Sequence, residues 1–193
     1  MSNALTEGED SLTAARAVRL LGRLTRRDVV RREEVFVMKI LLAVDGSPFG
    51  EEAASEVARR PWPAGSELKV ISVVEPAYPP AAEPWGLPET YFDEMEKFAA
   101  AKARAAVEGA LTILRAGEDK GLKVSSETPR GPVKQTIIEE AARWGADLIV
   151  VGSQGHGFWG RLLLGSVSQG LASAAPCSVE IVKIPTPAED QKA

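Results

Sequence analysis

The stretch "VVGSQGHGFWGRLLLGSVSQGL" (150–171) concentrates the residues whose types and spacing bear on chemistry. An apolar run ends at Val151, and Gly152, Gly155, Gly157 and Gly160 then fall in one loop before Gly165-Ser166 opens a helix-like segment. Backbone N–H groups hold polyanions well when they project from a concave turn or from the open N-terminus of a helix. Glycine removes the side chain that would block such an approach and tolerates positive φ. Gly152, Gly155 and Gly165 fit that need, and Ser166 and Ser168 add hydroxyl donors. One exposed helix end favours an anion by only about 0.3–1 kcal/mol, so several N–H groups must share the work. The loop is therefore expected to wrap phosphates.

Other candidates are weighed against structural roles. Asp45 follows an apolar run and precedes Gly46-Ser47, where it either caps a turn or bonds a ligand; the ligand is the preferred reading. His156, the only histidine, lies in the glycine loop without an identified partner, so an exposed residue or a neutral phosphate donor is preferred to an acid–base group. Arg161 serves either phosphate or solvent, and Trp159 covers the ligand or packs on a partner. Cys177 reads as a small buried residue more readily than as a reactive thiol. No GxxxxGK(S/T) and no GxGxxG after the first strand occurs.

These residues need elements to position them. "KILLAV" (39–44) is a strand buried on both faces, ending at Asp45-Gly46. Ser47-Pro48 supplies an N-cap and a first-turn proline for a helix with Ala53, Ala54, Val57 and Ala58 inward, stopped by Pro61. "ELKVISVV" (67–74) is the second strand, and a proline-rich crossover follows. Residues 89–115 form a long helix with Phe92, Met95, Ala99, Ala103, Val107, Leu111 and Leu114 on one stripe. Then come a weaker strand (122–128), a helix from Pro132 with Val133, Ile137, Ile138, Ala141 and Trp144 inward, a strand (147–151), a helix (166–174) and a last strand (178–184). The expected fold is α/β: one Rossmann-like, doubly wound sheet of five mainly parallel strands in order 3-2-1-4-5, with helices on both faces. The chain reverses direction between strands 1 and 4, and a ligand crevice belongs there.

At this point the residues resemble the ATP-binding branch of the universal stress protein family. Gly152-x2-Gly155-x9-Gly165-Ser166 carries the resemblance together with "KILLAVDGS", "RGP" (130–132), "ADLIVVGSQGHG" and "APCSVEIVK". The resemblance spans residues 38–185. It implies that Ala43, Val44 and Asp45 line the adenosine side and that Val73 contacts adenine through its backbone. Val151 and Gly152 would lie near the ribose. Ser153, Gly155, Gly165, Ser166, Val167 and Ser168 would hold the phosphates. ATP is the implied ligand, with Mg²⁺ accompanying it, although no cluster of acids marks a dedicated metal site. The resemblance also implies a homodimer in which last strands (178–184) pair antiparallel, supported here by Val179, Ile181 and Ile184. Glu180 departs from the apolar residues usual at that edge and either deters wrong pairing or meets the partner's Lys183.

Composition bounds the alternatives. The 193 residues, 45% hydrophobic and 26% charged, suit one globular domain with an appendage. Net charge −4 gives no electrostatic reason for nucleic acid binding, and no apolar stretch is long enough to cross a bilayer. One cysteine excludes an internal disulfide and fits a cytoplasmic setting. Residues 1–37 differ: seven arginines oppose one acid between Ser11 and Arg32, with a short amphipathic pattern over Leu12–Leu24. Three readings compete for this extension: a membrane-surface or nucleic-acid arm, a solvated tail, or a segment ahead of a true start at Met38. The last two are preferred, because Arg31-Arg32-Glu33-Glu34 is compatible with a purine-rich ribosome-binding site. The expected organisation is thus an extension (1–37), a nucleotide-binding domain (38–185) and a tail (186–193). Without a Walker lysine, a water-positioning base or paired carboxylates, hydrolysis is expected to be slow at most. The expected role is an ATP-binding regulatory or stress-adaptation protein. The competing readings are a nucleotide-free interaction module and a weak nucleotide hydrolase.

Overall fold

A computed structural model describes residues 37–76, 89–117, 121–155 and 164–184. The chain divides into two units, Met1–Phe36 and Val37–Ala193, and every described residue lies in the second. The amphipathic pattern at 12–24, most of the proline-rich crossover, the tail 186–193, and His156, Gly157, Trp159, Gly160 and Arg161 lie outside the described residues.

Strands and helices alternate along the chain. β1 (Lys39–Ala43), α1 (Pro48–Arg59), β2 (Glu67–Ile71) and α2 (Glu89–Ala116) are followed by β3 (Lys123–Glu127), α3 (Val133–Trp144), β4 (Leu148–Gly152), α4 (Ser166–Ala174) and β5 (Ser178–Val182). The sheet order is β3-β2-β1-β4-β5, the order expected from the alternation of elements, and every pairing is parallel. β1 sits at the centre, with Ile40, Leu41 and Leu42 fully buried. Because side chains alternate across a strand, Ile40 and Leu42 join α1 and α2 on one face. Leu41 joins α3 and α4 on the other.

Local chemistry sets the helix ends. Ser47 caps α1 by accepting the Gly50 N–H, and Pro48 occupies the first turn, where its missing N–H costs nothing. Gly145 closes α3 in the left-handed region at φ 70°, which glycine adopts without strain. Several strands are shorter than their apolar runs. β2 stops at Ile71 rather than Val74, which instead forms an isolated bridge to Arg130. β3 is exposed throughout because it is an edge, so its residues pack little against either layer.

Two departures concern packing. The inward face of α2 runs through Ala103, Ala106, Val107 and Ala110, while Met95 is exposed and no described side chain of the first half is buried. The long apolar pattern suggests one continuous core stripe, but the core reaches only the second half. The other departure is ionic. Lys69 of β2 and Glu140 of α3 are 6% and 5% exposed and pair at 2.9 Å inside the α3 layer. Lys69 also reaches Glu127, Glu140 meets Arg143, and the Lys69 ammonium lies 5.2 Å from the centre of the Trp144 ring. Hydrophobic periodicity alone gives no sign of this network.

Candidate functional site

The carboxyl ends of β1 and β4 open into a cavity of about 320 Å³. β1 and β4 are neighbours whose crossovers leave in opposite directions, so no connection covers the gap between them. Ala43, Val44 and Asp45 line it from β1, Val73 from beyond β2, and Val151 and Gly152 from β4. Gly155, Gly165, Ser166, Val167 and Ser168 complete the opposite side. Of the residues expected there, Ser153 alone does not line the cavity.

Ser153 has a bracing role instead. Its N–H bonds the Val182 carbonyl at 2.7 Å, and its own carbonyl accepts the Gly165 N–H at 2.8 Å and the Ser168 hydroxyl at 3.1 Å. The Ser168 hydroxyl also reaches the Gly165 carbonyl at 2.9 Å. Two expected phosphate donors, the Gly165 N–H and the Ser168 hydroxyl, are therefore spent inside the protein. What remains is the first turn of α4. No side chain caps it, and the N–H groups of Ser166, Val167 and Ser168 have no carbonyl one turn earlier in the helix to receive them. Ser166, Val167 and Ser168 line the same cavity as Gly155.

The glycines separate by cause. None of Gly152, Gly155 and Gly165 has positive φ, so conformational freedom is not what selects them. A Cβ on Gly152 would stand 2.7 Å from the Phe49 backbone, so this glycine lets α1 pack against β4. On Gly155 it would meet the Asp45 carboxylate at 2.8 Å. On Gly165 it would make only ordinary contacts, at 3.5 Å and beyond, and the backbone there is extended at φ −62°. The fold does not require glycine at 165, whereas a ligand lying against the start of α4 would.

Asp45 does both things weighed for it from sequence. One carboxylate oxygen accepts the Ser47 N–H at 3.0 Å and the Ser47 hydroxyl at 2.6 Å, which builds the turn into α1. The same side chain forms part of the cavity wall and is the one acidic or basic side chain among the lining residues. Across the cavity, the β1–β2 ladder ends with Val44 N–H to the Ile71 carbonyl. Ser72 and Val74 then turn their N–H groups to Glu127 and Pro129, on the β3 side. Val73, between them, makes no main-chain hydrogen bond to another described residue. Val73 thus brings to the cavity lining one N–H and one carbonyl that are unpaired within the described residues.

Sequence reasoning missed Gly50, Ile71, Ser72 and Gln154 in the lining, and also Val133 and Ile137, which cover the apolar wall from α3. Val133 and Ile137 read as core residues on the inward stripe of α3, and they are that too. Periodicity marks them only as inward, and it takes the folded chain to bring the first turn of α3 to the crevice. Among the described residues no group of three or more metal-binding side chains occurs, and no helix is long and apolar enough to cross a membrane.

A parallel 3-2-1-4-5 sheet with a crevice at its switch point defines a Rossmann-like α/β architecture, and comparison with known proteins narrows it. The family model described as the universal stress protein family matches residues 37–183, and the chain belongs to that family. A universal stress protein of Thermus aquaticus is 32% identical over 144 residues, covering 75% of this chain and 97% of the relative. The solved universal stress protein UspA of Lactobacillus plantarum superposes with a TM-score of 0.60 at 26% identity, covering 75% of this chain and 97% of that one. A family protein of Arabidopsis thaliana, solved with AMP bound, shares the fold at a TM-score of 0.53 and 20% identity, covering 79% of this chain and 97% of that one.

Proposed function

We propose that the chain binds an adenine nucleotide, ATP, in the cavity at the ends of β1 and β4. In this reading it acts as a nucleotide-dependent regulatory or stress-adaptation protein through a homodimer, with slow hydrolysis at most. One observation carries the nucleotide: Val73, whose main-chain N–H and carbonyl bond no other described residue, lines the same cavity as Ser166, Val167 and Ser168, whose amides have no helical or side-chain partner among the described residues. Adenine offers an acceptor beside a donor on its edge, which matches one N–H next to one carbonyl. Phosphates suit the amides and the positive end of the α4 dipole. The AMP in the Arabidopsis protein of the same fold adds support. Asp45 is suited to a ribose hydroxyl rather than to phosphate, since two anions repel unless a cation lies between them. Mg²⁺ would arrive on the phosphates, and Asp45 is the one carboxylate among the described lining residues. When bound, the nucleotide supplies a polyanion that ties the loop after β4 to α4.

The dimer rests on β5. It is a sheet edge, and the Ser153 N–H bond to the Val182 carbonyl fixes which of its groups face inward. Alternation then turns the main-chain groups of Val179, Ile181 and Lys183 outward, ready for a second strand. The objection from Glu180 is removed within the protomer, because Arg60 binds its carboxylate through two nitrogens at 2.6 and 2.7 Å.

The test is mass spectrometry of ligand released from freshly purified protein, followed by calorimetry with ATP and Mg²⁺. Copurified adenylate, or saturable heat with a rise in melting temperature, is expected; at 100 times the dissociation constant the gain is about 2.7 kcal/mol. An empty protein with no heat and no thermal shift at millimolar ATP would end the proposal and leave the nucleotide-free interaction module.

A further inference from the structure

A second cavity, of about 310 Å³, lies on the α1–α2 face of the sheet. Asp45, Gly46, Gly50 and Glu51 form one wall, and α2 forms the other through Lys102 and a run of small residues, Ala105, Ala106, Gly109 and Ala110. Gly109 stands in the interior of a 28-residue helix, where glycine is the poorest choice after proline. Its φ is not positive, and a Cβ there would meet nothing within 4 Å. Neither backbone geometry nor packing asks for a glycine at this position. Its effect is to keep the cleft deep.

The same face of α2 continues toward its N-terminus as an exposed apolar stripe. Tyr91, Met95 and Phe98 are 45%, 39% and 67% exposed. Their i, i+4, i+7 spacing leads on to Lys102, Ala105 and Gly109 one, two and three turns later. From Thr90 to Lys102, about 20 Å of helix, α2 contains no buried residue, so the stripe has no partner inside the described fold. Its rim is acidic: Glu94 flanks the stripe, Glu51 and Asp45 stand across the cleft, and Lys102 is the one base among them.

We propose that this cleft and stripe dock an amphipathic, basic segment of a partner protein. The partner's apolar face covers Tyr91, Met95 and Phe98, one of its side chains fills the cavity over Gly109, and its cations meet Glu94, Glu51 and Asp45. Charge complementarity selects this occupant over an acidic peptide or an anionic lipid surface. The proposal does not depend on a nucleotide in the first cavity, although Val44, Asp45 and Gly50 belong to both walls.

The test uses the full chain and a fluorescein-labelled synthetic helix. The helix carries leucines and one phenylalanine at i, i+3, i+4, i+7 on one face and lysines and arginines elsewhere; its counterpart has glutamates in place of the bases. Anisotropy titration should show the basic peptide binding at least tenfold more tightly than the acidic one. Phe98→Glu and Gly109→Leu should each weaken it at least tenfold, and Met95→Lys provides a second stripe variant should either lose its fold. Glu94→Lys should lower affinity for the basic peptide and raise it for the acidic one. The proposal fails if the basic peptide does not bind, or if wild type and Phe98→Glu bind it equally. Sedimentation with anionic vesicles in preference to the peptide, or a lower oligomeric state in Phe98→Glu without peptide binding, also overturns it.

Discussion

At the scale of single residues, the glycines of the crevice divide between fold and ligand. Gly165→Ala places a methyl in ordinary contact at 3.5 Å, so the apo melting temperature should stay within about 2 °C of wild type. Nucleotide affinity should fall at least tenfold, because the methyl enters the space beside the α4 amides. Gly152→Ala is the converse: with its Cβ 2.7 Å from the Phe49 backbone, it should cost about 1–3 kcal/mol of stability with or without ligand. Thermal melts with and without ATP separate the two; a Gly165→Ala protein as unstable as Gly152→Ala would refute the division. Cys177 belongs to this scale as well. Burial and the nearby Asp147 charge raise its thiol pKa against a bond with the Ile149 backbone, and the residue is half-buried against the cluster around Leu41 and Ile149 rather than fully enclosed.

At the scale of elements, the pairing of β2 with α3 depends on ions as well as hydrocarbon. Burial pushes the Glu140 carboxyl upward, but hydrogen bonds from Lys69 and Arg143 outweigh it and hold the group below its ordinary value of 4.5. A carboxyl lowered in the folded state lends stability that is present above 4.5 and lost as pH falls through the lowered value. Denaturant midpoints should therefore drop in acid, and Glu140→Gln should flatten that dependence while lowering stability at neutral pH. Lys69→Met, which leaves Glu140 buried with less compensation, should cost about 3 kcal/mol, and adding Glu140→Leu should recover most of it. A double variant no better than the single one would mean that the pair contributes net stability.

At the scale of the whole molecule, the two sheet edges differ in burial and charge. β3 is short, polar and exposed, with Lys123 and Glu127 at its ends, the usual means of discouraging strand addition. β5 is half-buried, and its charge is neutralised by Arg60, itself 5.3 Å from the centre of the Trp62 ring. Ile181→Pro removes an outward N–H from β5 while leaving the inward ladder to β4 intact. Sedimentation velocity should show wild type as a dimer and this variant as a monomer. A monomeric wild type at micromolar concentration would refute pairing through β5.

Much of this protein was legible in its sequence. Continuous apolar runs and capping residues such as Ser47 and Gly145 are local signals, and their alternation leaves few sheet orders, so the 3-2-1-4-5 topology and the position of the crevice followed. The glycine-serine spacing pointed to the same crevice. Local signals do not report which hydrogen bonds a group has already made. Only the folded chain gave the Gly165 N–H and the Ser168 hydroxyl to Ser153, left the amides of Ser166, Val167 and Ser168 without a hydrogen-bond partner among the described residues, and joined Glu180 to Arg60 across 120 positions. The burial of Lys69 with Glu140, 71 positions apart, was equally invisible, because periodicity records hydrophobicity and not charge compensation. Sequence determines what each segment can become; contacts between distant segments decide which polar groups are spent and which remain to meet a ligand.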